Sequence, residues 1–115
     1  MNNKNIILIR IQVNDKFYIG PGKISLLESI LETGSISSAA KKIGMSYRKA
    51  WKLIKDINEA SLEKIVITST GGKGTGGAFI STKGKKFISS FRKIEKKVFL
   101  ETEKERNFIY DIFID

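Results

Sequence analysis

The glycine-rich stretch "TSTGGKGTGGAFIST", residues 68–82, holds five glycines between positions 71 and 77. Within it, "GKGTGG" at 72–77 fits G-x-G-x-x-G, a pattern whose glycines let the backbone approach the phosphates of a bound nucleotide. Such a site requires the loop to run from a strand directly into a helix. Here the loop is followed by "AFIS", which is typical of a strand. The context therefore favours the tip of a β-hairpin over a nucleotide cradle.

The Walker pattern G-x-x-x-x-G-K-[ST] also fails in this loop. Lys73 is followed by Gly74 where the pattern needs Ser or Thr, and Ile67 occupies the place of the first glycine. At a hairpin tip, Lys73 and Thr75 become candidates for contacts to the phosphates of a nucleic acid, and the glycines allow a close backbone approach. A flexible turn without any ligand is the alternative.

Two residue types that carry much of enzyme chemistry are absent, because the chain has no cysteine and no histidine. Disulfides, thiolate or imidazole metal ligands, and Ser-His or Cys-His nucleophile pairs are thereby excluded. No convincing pair of carboxylates stands in for them. We expect no catalytic residues, no metal site and no cofactor, which makes a small phosphate-binding enzyme the weakest of the functional hypotheses.

The charge balance points to a polyanionic partner. In 115 residues, 21 Lys and Arg stand against 12 Asp and Glu, which gives a net charge of +9. A small domain this basic is attracted to nucleic acid or to an anionic membrane surface. No segment approaches the roughly 18 continuous apolar residues of a membrane span, and the amino terminus shows no signal-peptide cleavage site. We therefore expect a cytoplasmic protein with no membrane partner, and double-stranded DNA is the expected polyanion. Solubility alone is the alternative explanation of the charge.

Local patterns predict one α+β domain over residues 1–115. The β-branched stretch 5–13, the turn signal at Asn14 and Asp15, and "KFYIG" predict an N-terminal hairpin. Apolar residues recur at helical spacing in the segments that follow. Over 35–60, the apolar face of the first helix is Ala39, Ala40 and Ile43, and that of the second is Ala50, Leu53, Ile54 and Ile57. Ser35 or Ser37 is expected to cap the first of these helices, Gly44 to end it, and Ser46 to cap the second. The predicted elements are a helix over 23–33 with Ile24, Leu27, Ile30 and Leu31 on its apolar face, a helix-turn-helix over 35–60, a hairpin over 64–82, and a long helix over 82–106 capped by Thr82.

The helix-turn-helix prediction rests on two short helices separated by "GMS", a three-residue turn with glycine. On this pattern alone, an ordinary helical hairpin in a small bundle is the alternative. Between residues 41 and 55 there are six cations and no anion. Because Arg48, Lys52 and Lys55 step by four and three residues, they share one stripe of the second helix. A cationic first turn opposes the helix dipole, which is understandable if that end meets DNA.

These residues predict the DNA contacts. The guanidinium fork of Arg48 matches the O6/N7 edge of guanine, whereas Trp51 is interpreted as a packing residue. The remaining polar side chains of the helix are assigned to phosphates. The predicted DNA-binding set is Ser46, Tyr47, Arg48, Lys49, Lys52, Lys55, Lys73 and Thr75.

Two blocks resemble the N-terminal DNA-binding domain of the ModE-type molybdate-responsive transcriptional regulators: "GSISSAAKKIGMSYRKAW" and "TSTGGKGTGGAFISTKG". The resemblance spans about residues 17–97. It implies a winged helix-turn-helix that binds DNA as a homodimer, with helix 46–60 in the major groove, loop 71–77 as the wing, and the final helix in the dimer contact. Family members carry a further molybdate-binding half, which these residues do not resemble, so we expect no molybdate binding from this chain.

The final helix carries an apolar seam at Phe87, Phe91, Ile94 and Val98, spaced by 4, 3 and 4 residues. We expect this seam to form the dimer interface. The apolar residues farther on, among them Phe99, Phe108 and Phe113, either cover a partner subunit or pack back on their own domain. A rival hypothesis is a winged-helix module for protein interaction that does not read DNA.

Overall fold

The computed structural model describes residues 6–69 and 77–113, which form five α-helices and two small antiparallel hairpins. The α+β winged helix-turn-helix expected from the sequence is confirmed. In chain order the elements are β1 (Ile11–Gln12), β2 (Tyr18–Ile19), α1 (Pro21–Thr33), α2 (Ile36–Lys42), α3 (Tyr47–Ala60), β3 (Val66–Ser69), β4 (Gly77–Ile80), α4 (Thr82–Glu101) and α5 (Glu103–Phe113).

The N-terminal hairpin is present but much shorter than the predicted strand over 5–13. Ile11 pairs with Ile19, so continuing the same register would place Ile9 opposite Pro21. Because Pro21 already begins α1 and has no N–H to donate, the ladder ends there. At the other end Asn14 closes the turn, since its side-chain oxygen accepts hydrogen bonds from the N–H groups of Lys16 and Phe17 at 2.9 and 3.0 Å.

The two helices of the helix-turn-helix begin and end at the predicted residues. The Ser35 hydroxyl caps α2 by accepting from the Ser38 N–H at 3.1 Å, and Ser46 caps α3 through the Lys49 N–H at the same distance. Gly44 in the turn has φ of 70°, a left-handed conformation that side chains with a Cβ disfavour. This turn lets α3 leave α2 in a new direction.

The core lies where α1, α2 and α3 meet the β3–β4 hairpin and the start of α4. The predicted apolar faces of α2 and α3 point into it, and so does that of α1, apart from Leu31. That residue lies in the last turn of α1 beside Phe79, and it is 48% exposed. The core is formed by Ile19, Ile24, Leu26, Leu27, Ile30, Ile36, Ala39, Ala40, Ala50, Ile54, Ile57, Ile65, Val66, Ala78, Ile80, Ile88 and Phe91.

The predicted long helix over 82–106 is wrong in two respects. Ser81, not Thr82, caps it, because the Ser81 hydroxyl accepts from the Gly84 N–H at 3.0 Å. The helix is also interrupted at Thr102, whose hydroxyl bonds the Val98 carbonyl at 2.6 Å. Side-chain bonding of this kind competes with regular helix geometry. Arg106 secures the junction from α5 by donating to the Phe99 carbonyl at 2.6 Å.

Candidate nucleic-acid interface

The outward face of α3 carries the polar residues expected to meet DNA. Ala50, Ile54 and Ile57 bury the opposite side of the helix. At 3.6 residues per turn, Arg48, Lys52 and Lys55 therefore project away from the core, and each is exposed. All predicted residues of this helix are exposed, but they do not share one face: Tyr47 lies on the flank towards the β3–β4 hairpin and Lys49 on the flank towards β2 and the start of α1. The exposed set is Ser46, Tyr47, Arg48, Lys49, Lys52 and Lys55.

The electrostatics of this face suit an anionic partner. The first turn of α3 contains no acidic residue, while Arg48 and Lys49 add positive charge to the positive end of the helix dipole. Lys52 lies 3.3 Å from Asp56 in an exposed ion pair. Because solvent-exposed pairs contribute little stability, Lys52 can exchange this carboxylate for a phosphate at small cost.

Trp51 is not the packing residue expected from the sequence. Its side chain is 40% exposed and lies edge-on to Tyr47, with ring centroids 6.4 Å apart and planes at 79°. The indole N–H donates to the Tyr47 hydroxyl. The i, i+4 spacing of Tyr47 and Trp51 could have predicted that the two rings are in contact. Trp51 was instead assigned to the core because tryptophan is a large apolar residue.

The β3–β4 hairpin is attached to α3 through Asn58. The Asn58 side-chain oxygen accepts from the N–H groups of Ile65 and Val66 at 2.9 and 3.1 Å, and its amide donates to the Val66 carbonyl at 2.8 Å. These three bonds fix the base of the hairpin relative to the cationic helix. The strands pair from Val66↔Ile80 to Ser69↔Gly77, as expected for a wing. Its tip lies outside the described residues, and with it Lys73 and Thr75.

The predicted dimer seam is divided by the fold. Phe91 is 1% exposed within its own chain, and Phe87 packs against the same core. Phe91 therefore stabilises the domain and does not lie at an interface. Farther along α4, Ile94 is exposed and Val98 is half-buried.

A salt-bridge network fixes α4 against α1. Arg92 makes two hydrogen bonds to Glu28, at 2.7 and 3.0 Å, and a third to Glu95 at 2.7 Å. The pKa of Arg92 is raised above its ordinary value, mainly because of its hydrogen bonds to Glu28. The charge of Arg92 is paired with carboxylates of its own domain, and it lies apart from the exposed cations of α3.

Two other kinds of functional feature, a metal site and a membrane-spanning helix, are absent from the described residues. Within residues 6–69 and 77–113, His, Cys, Asp and Glu side chains form no group of three that could hold a metal ion. None of the helices in the described segments is long and apolar enough to cross a membrane.

A helix-turn-helix followed by a β-hairpin is an arrangement also found in a protein of known structure. A mutant of Lactococcus lactis ZitR, a winged-helix regulator, aligns with a TM-score of 0.56 over 98% of this chain and 74% of its own. The two sequences are 17% identical, so this likeness concerns the fold alone. The chain has a winged-helix fold.

Proteins of similar sequence assign the chain to a family within this fold. No protein-family model matches the chain. The transcriptional regulator ModE of Yersinia pestis is 41% identical over 85 residues, which cover 74% of this chain and 32% of that protein. The DNA-binding dual regulator ModE of Escherichia coli K12 is 38% identical over 96 residues, covering 81% and 37%. The molybdenum-pterin-binding protein MopB of Rhodobacter capsulatus is 38% identical over 80 residues, covering 70% and 30%.

The chain therefore carries a domain of the ModE-type transcriptional regulators. It spans about a third of the length of these relatives.

Proposed function

We propose that this chain is a sequence-specific DNA-binding transcriptional regulator that inserts α3 into the major groove. The observation that carries the proposal is the exposed face of α3, where Arg48, Lys52 and Lys55 project opposite the buried side of the helix. A helix of this kind fits the major groove and meets phosphates at its rims. The relatives named as DNA-binding and transcriptional regulators support this reading.

The residues of α3 have distinct roles in this proposal. Arg48 reads a guanine through two parallel hydrogen bonds. Ser46, Tyr47 and Lys49 contact phosphates near the helix N-terminus, and Lys52 and Lys55 contact phosphates farther along the groove. The wing residues Lys73 and Thr75 meet the backbone beyond the groove.

The proposed activity is binding without chemistry. The chain contains no histidine or cysteine, and the ModE proteins of Yersinia pestis and Escherichia coli are named as regulators and not as enzymes. Its place of action is the cytoplasm, where bacterial DNA lies.

We also propose a homodimer, with a revised contact surface. Ile94 and Phe99 of α4 are exposed, and α5 adds four more exposed apolar side chains. The four side chains of α5, spaced i, i+1, i+4 and i+5, lie on one side of that helix, and an exposed apolar cluster of this kind marks an interaction site. Because residues 98–115 hold five anions and only two cations, this end is also the one that DNA would avoid. The contributions from α5 are Phe108, Ile109, Ile112 and Phe113.

Selection of bound duplexes from a random DNA pool tests the proposed function. We expect a palindrome whose half-sites lie about one helical turn apart, because two copies of α3 in a symmetric dimer enter successive major grooves. Binding without any enriched sequence would contradict specific recognition. Absence of binding at low salt would favour the rival function, a protein-interaction module.

A further inference from the structure

An open cleft separates α3 from the β3–β4 hairpin, and the rings of Tyr47 and Trp51 form one of its walls. We propose that this cleft receives one sugar–phosphate strand of the DNA duplex, with the Trp51 ring against a deoxyribose and the Tyr47 hydroxyl on a phosphate. The proposal rests on the proposed function and assigns Trp51 a role in DNA binding. The cleft is also lined by hydroxyl side chains of the start of α2 and of the hairpin, namely Ser35, Ser37, Thr68 and Ser69.

The position of the cleft determines which part of DNA can enter it. If α3 occupies the major groove and the hairpin lies over the neighbouring groove, the strand that separates the two grooves passes between them. The cleft lies at that place, bounded by α3 and by Thr68, Ser69, Gly77 and Ala78 of the hairpin. The three hydrogen bonds of Asn58 hold its two walls together.

The cleft lining is neutral, which distinguishes it from the cationic stripe. Hydroxyl groups dominate its polar part, and no charged side chain lines it in the described segments. Serine, threonine and tyrosine hydroxyls are frequent donors to DNA phosphates. Such contacts add affinity without releasing the counterions that a lysine contact releases.

The hydrogen bond within the aromatic pair assigns a different role to each ring. The single donor of Trp51 is already bonded to the Tyr47 oxygen, so the indole offers only its apolar surface to a ligand. A hydroxyl that accepts one hydrogen bond retains its own proton for donation. Tyr47, with 53% of its surface exposed, is thereby prepared to donate to a phosphate while Trp51 packs on the adjacent sugar.

A methylphosphonate scan of a selected duplex tests the proposal. Each phosphate is replaced singly by its uncharged methyl analogue, and affinities are measured for the wild type and for Tyr47→Phe. We expect one phosphate per half-site at which replacement weakens the wild type about tenfold, as for loss of a hydrogen bond to a charged group. At that phosphate the Tyr47→Phe variant should lose almost nothing further, because the bond is already absent.

Two further readouts separate this contact from a lysine contact. Tyr47→Phe should leave the salt dependence of binding unchanged, whereas Lys52→Ala should lower its slope by about one unit. Since Trp51 is the only tryptophan, its fluorescence should change on binding the duplex. Trp51→Ala should weaken binding about equally on selected and unrelated duplexes while circular dichroism stays that of the wild type.

Equal methylphosphonate penalties in wild type and Tyr47→Phe at every phosphate would overturn the proposal, as would Trp51 fluorescence that is indifferent to DNA. In both cases specific binding by the wild type would leave the proposed function intact. If the wild type selects no sequence and binds no duplex, the proposed function and the cleft proposal fail together.

Discussion

Arg48 combines two properties at the residue scale: it lies in the first turn of α3, and its side chain is exposed. A guanidinium in this position reaches the floor of the major groove when the helix enters it end-first. The neighbouring lysines carry the same charge but lack the planar fork that fits guanine.

Replacement of Arg48 by alanine should therefore cost about 1–3 kcal/mol at the selected site and relax the preference at one base position. Lys55→Ala is the matched control, because it removes one exposed cation of the same stripe. We expect it to weaken selected and scrambled duplexes alike. The affinities of both variants for the selected and the scrambled duplex are measured by titration. If Arg48→Ala lost equal affinity for the two duplexes, Arg48 would be a phosphate contact and not a base contact.

Residue-scale features that depend on local chemistry were predictable from the sequence. Ser46 and Gly44 were assigned correctly, since a cap and a left-handed turn depend on the residue itself and its near neighbours. Trp51 was assigned to packing, and it is exposed. The i, i+4 spacing pairs it with Tyr47 within one helix, but its position beside the hairpin is a product of tertiary structure, which helical spacing alone does not reveal.

At the scale of elements, the contact between α4 and the β3–β4 hairpin is unusually close at Gly84. A Cβ at this glycine would lie 2.7 Å from the Ile80 Cγ2 and 2.9 Å from the Ile65 carbonyl oxygen. Both distances are shorter than van der Waals contact. The hairpin can therefore pack closely against the first turn of α4 because Gly84 has no side chain.

Gly84→Ala should lower the free energy of unfolding by about 1–3 kcal/mol, the usual cost of overpacking a core. Gly22→Ala is the matched control in the first turn of α1, where a Cβ would meet nothing within 4 Å. Its greater helix propensity should leave stability unchanged or raise it by up to about 1 kcal/mol. Urea denaturation measures the free energy of unfolding of both variants. Equal values for Gly84→Ala and Gly22→Ala would contradict the close contact at Gly84.

The order of the elements was predictable, whereas their bounds were less so. Apolar periodicity and Ser or Gly termini correctly indicated α1 to α3 and the wing strands. The first strand is short because its register with β2 would place its continuation opposite Pro21, where α1 begins. Strand propensity does not predict this register. The interruption at Thr102 depends on Arg106 reaching back to Phe99, a contact that becomes apparent only in three dimensions.

At the scale of the whole molecule, charge and apolar surface are segregated. Residues 83–97 hold seven cations and one anion, and the sign reverses over residues 98–115. The proposed DNA surface lies on α3, where residues 41–55 hold six cations and no anion, whereas the α5 part of the proposed dimer surface lies in the acidic stretch. The predicted dimer seam included Phe91, which the fold buries.

Ile112→Glu should shift the protein from dimer to monomer, because it introduces a charge into the exposed apolar face of α5. Leu62→Glu is the control, since Leu62 is fully exposed after α3 and the substitution adds the same charge. Sedimentation equilibrium over a range of concentrations distinguishes the two variants. A monomeric wild type, or the same dimer in Ile112→Glu, would contradict the proposed interface.

Competition binding is a direct test of specific DNA binding by the exposed face of α3. The wild type is titrated with a labelled selected duplex in the presence of unlabelled selected or scrambled competitor, over a range of salt concentrations. We predict at least a thousandfold preference for the selected duplex at physiological salt, together with an affinity that falls steeply as salt rises. Equal competition by the two duplexes would contradict the account.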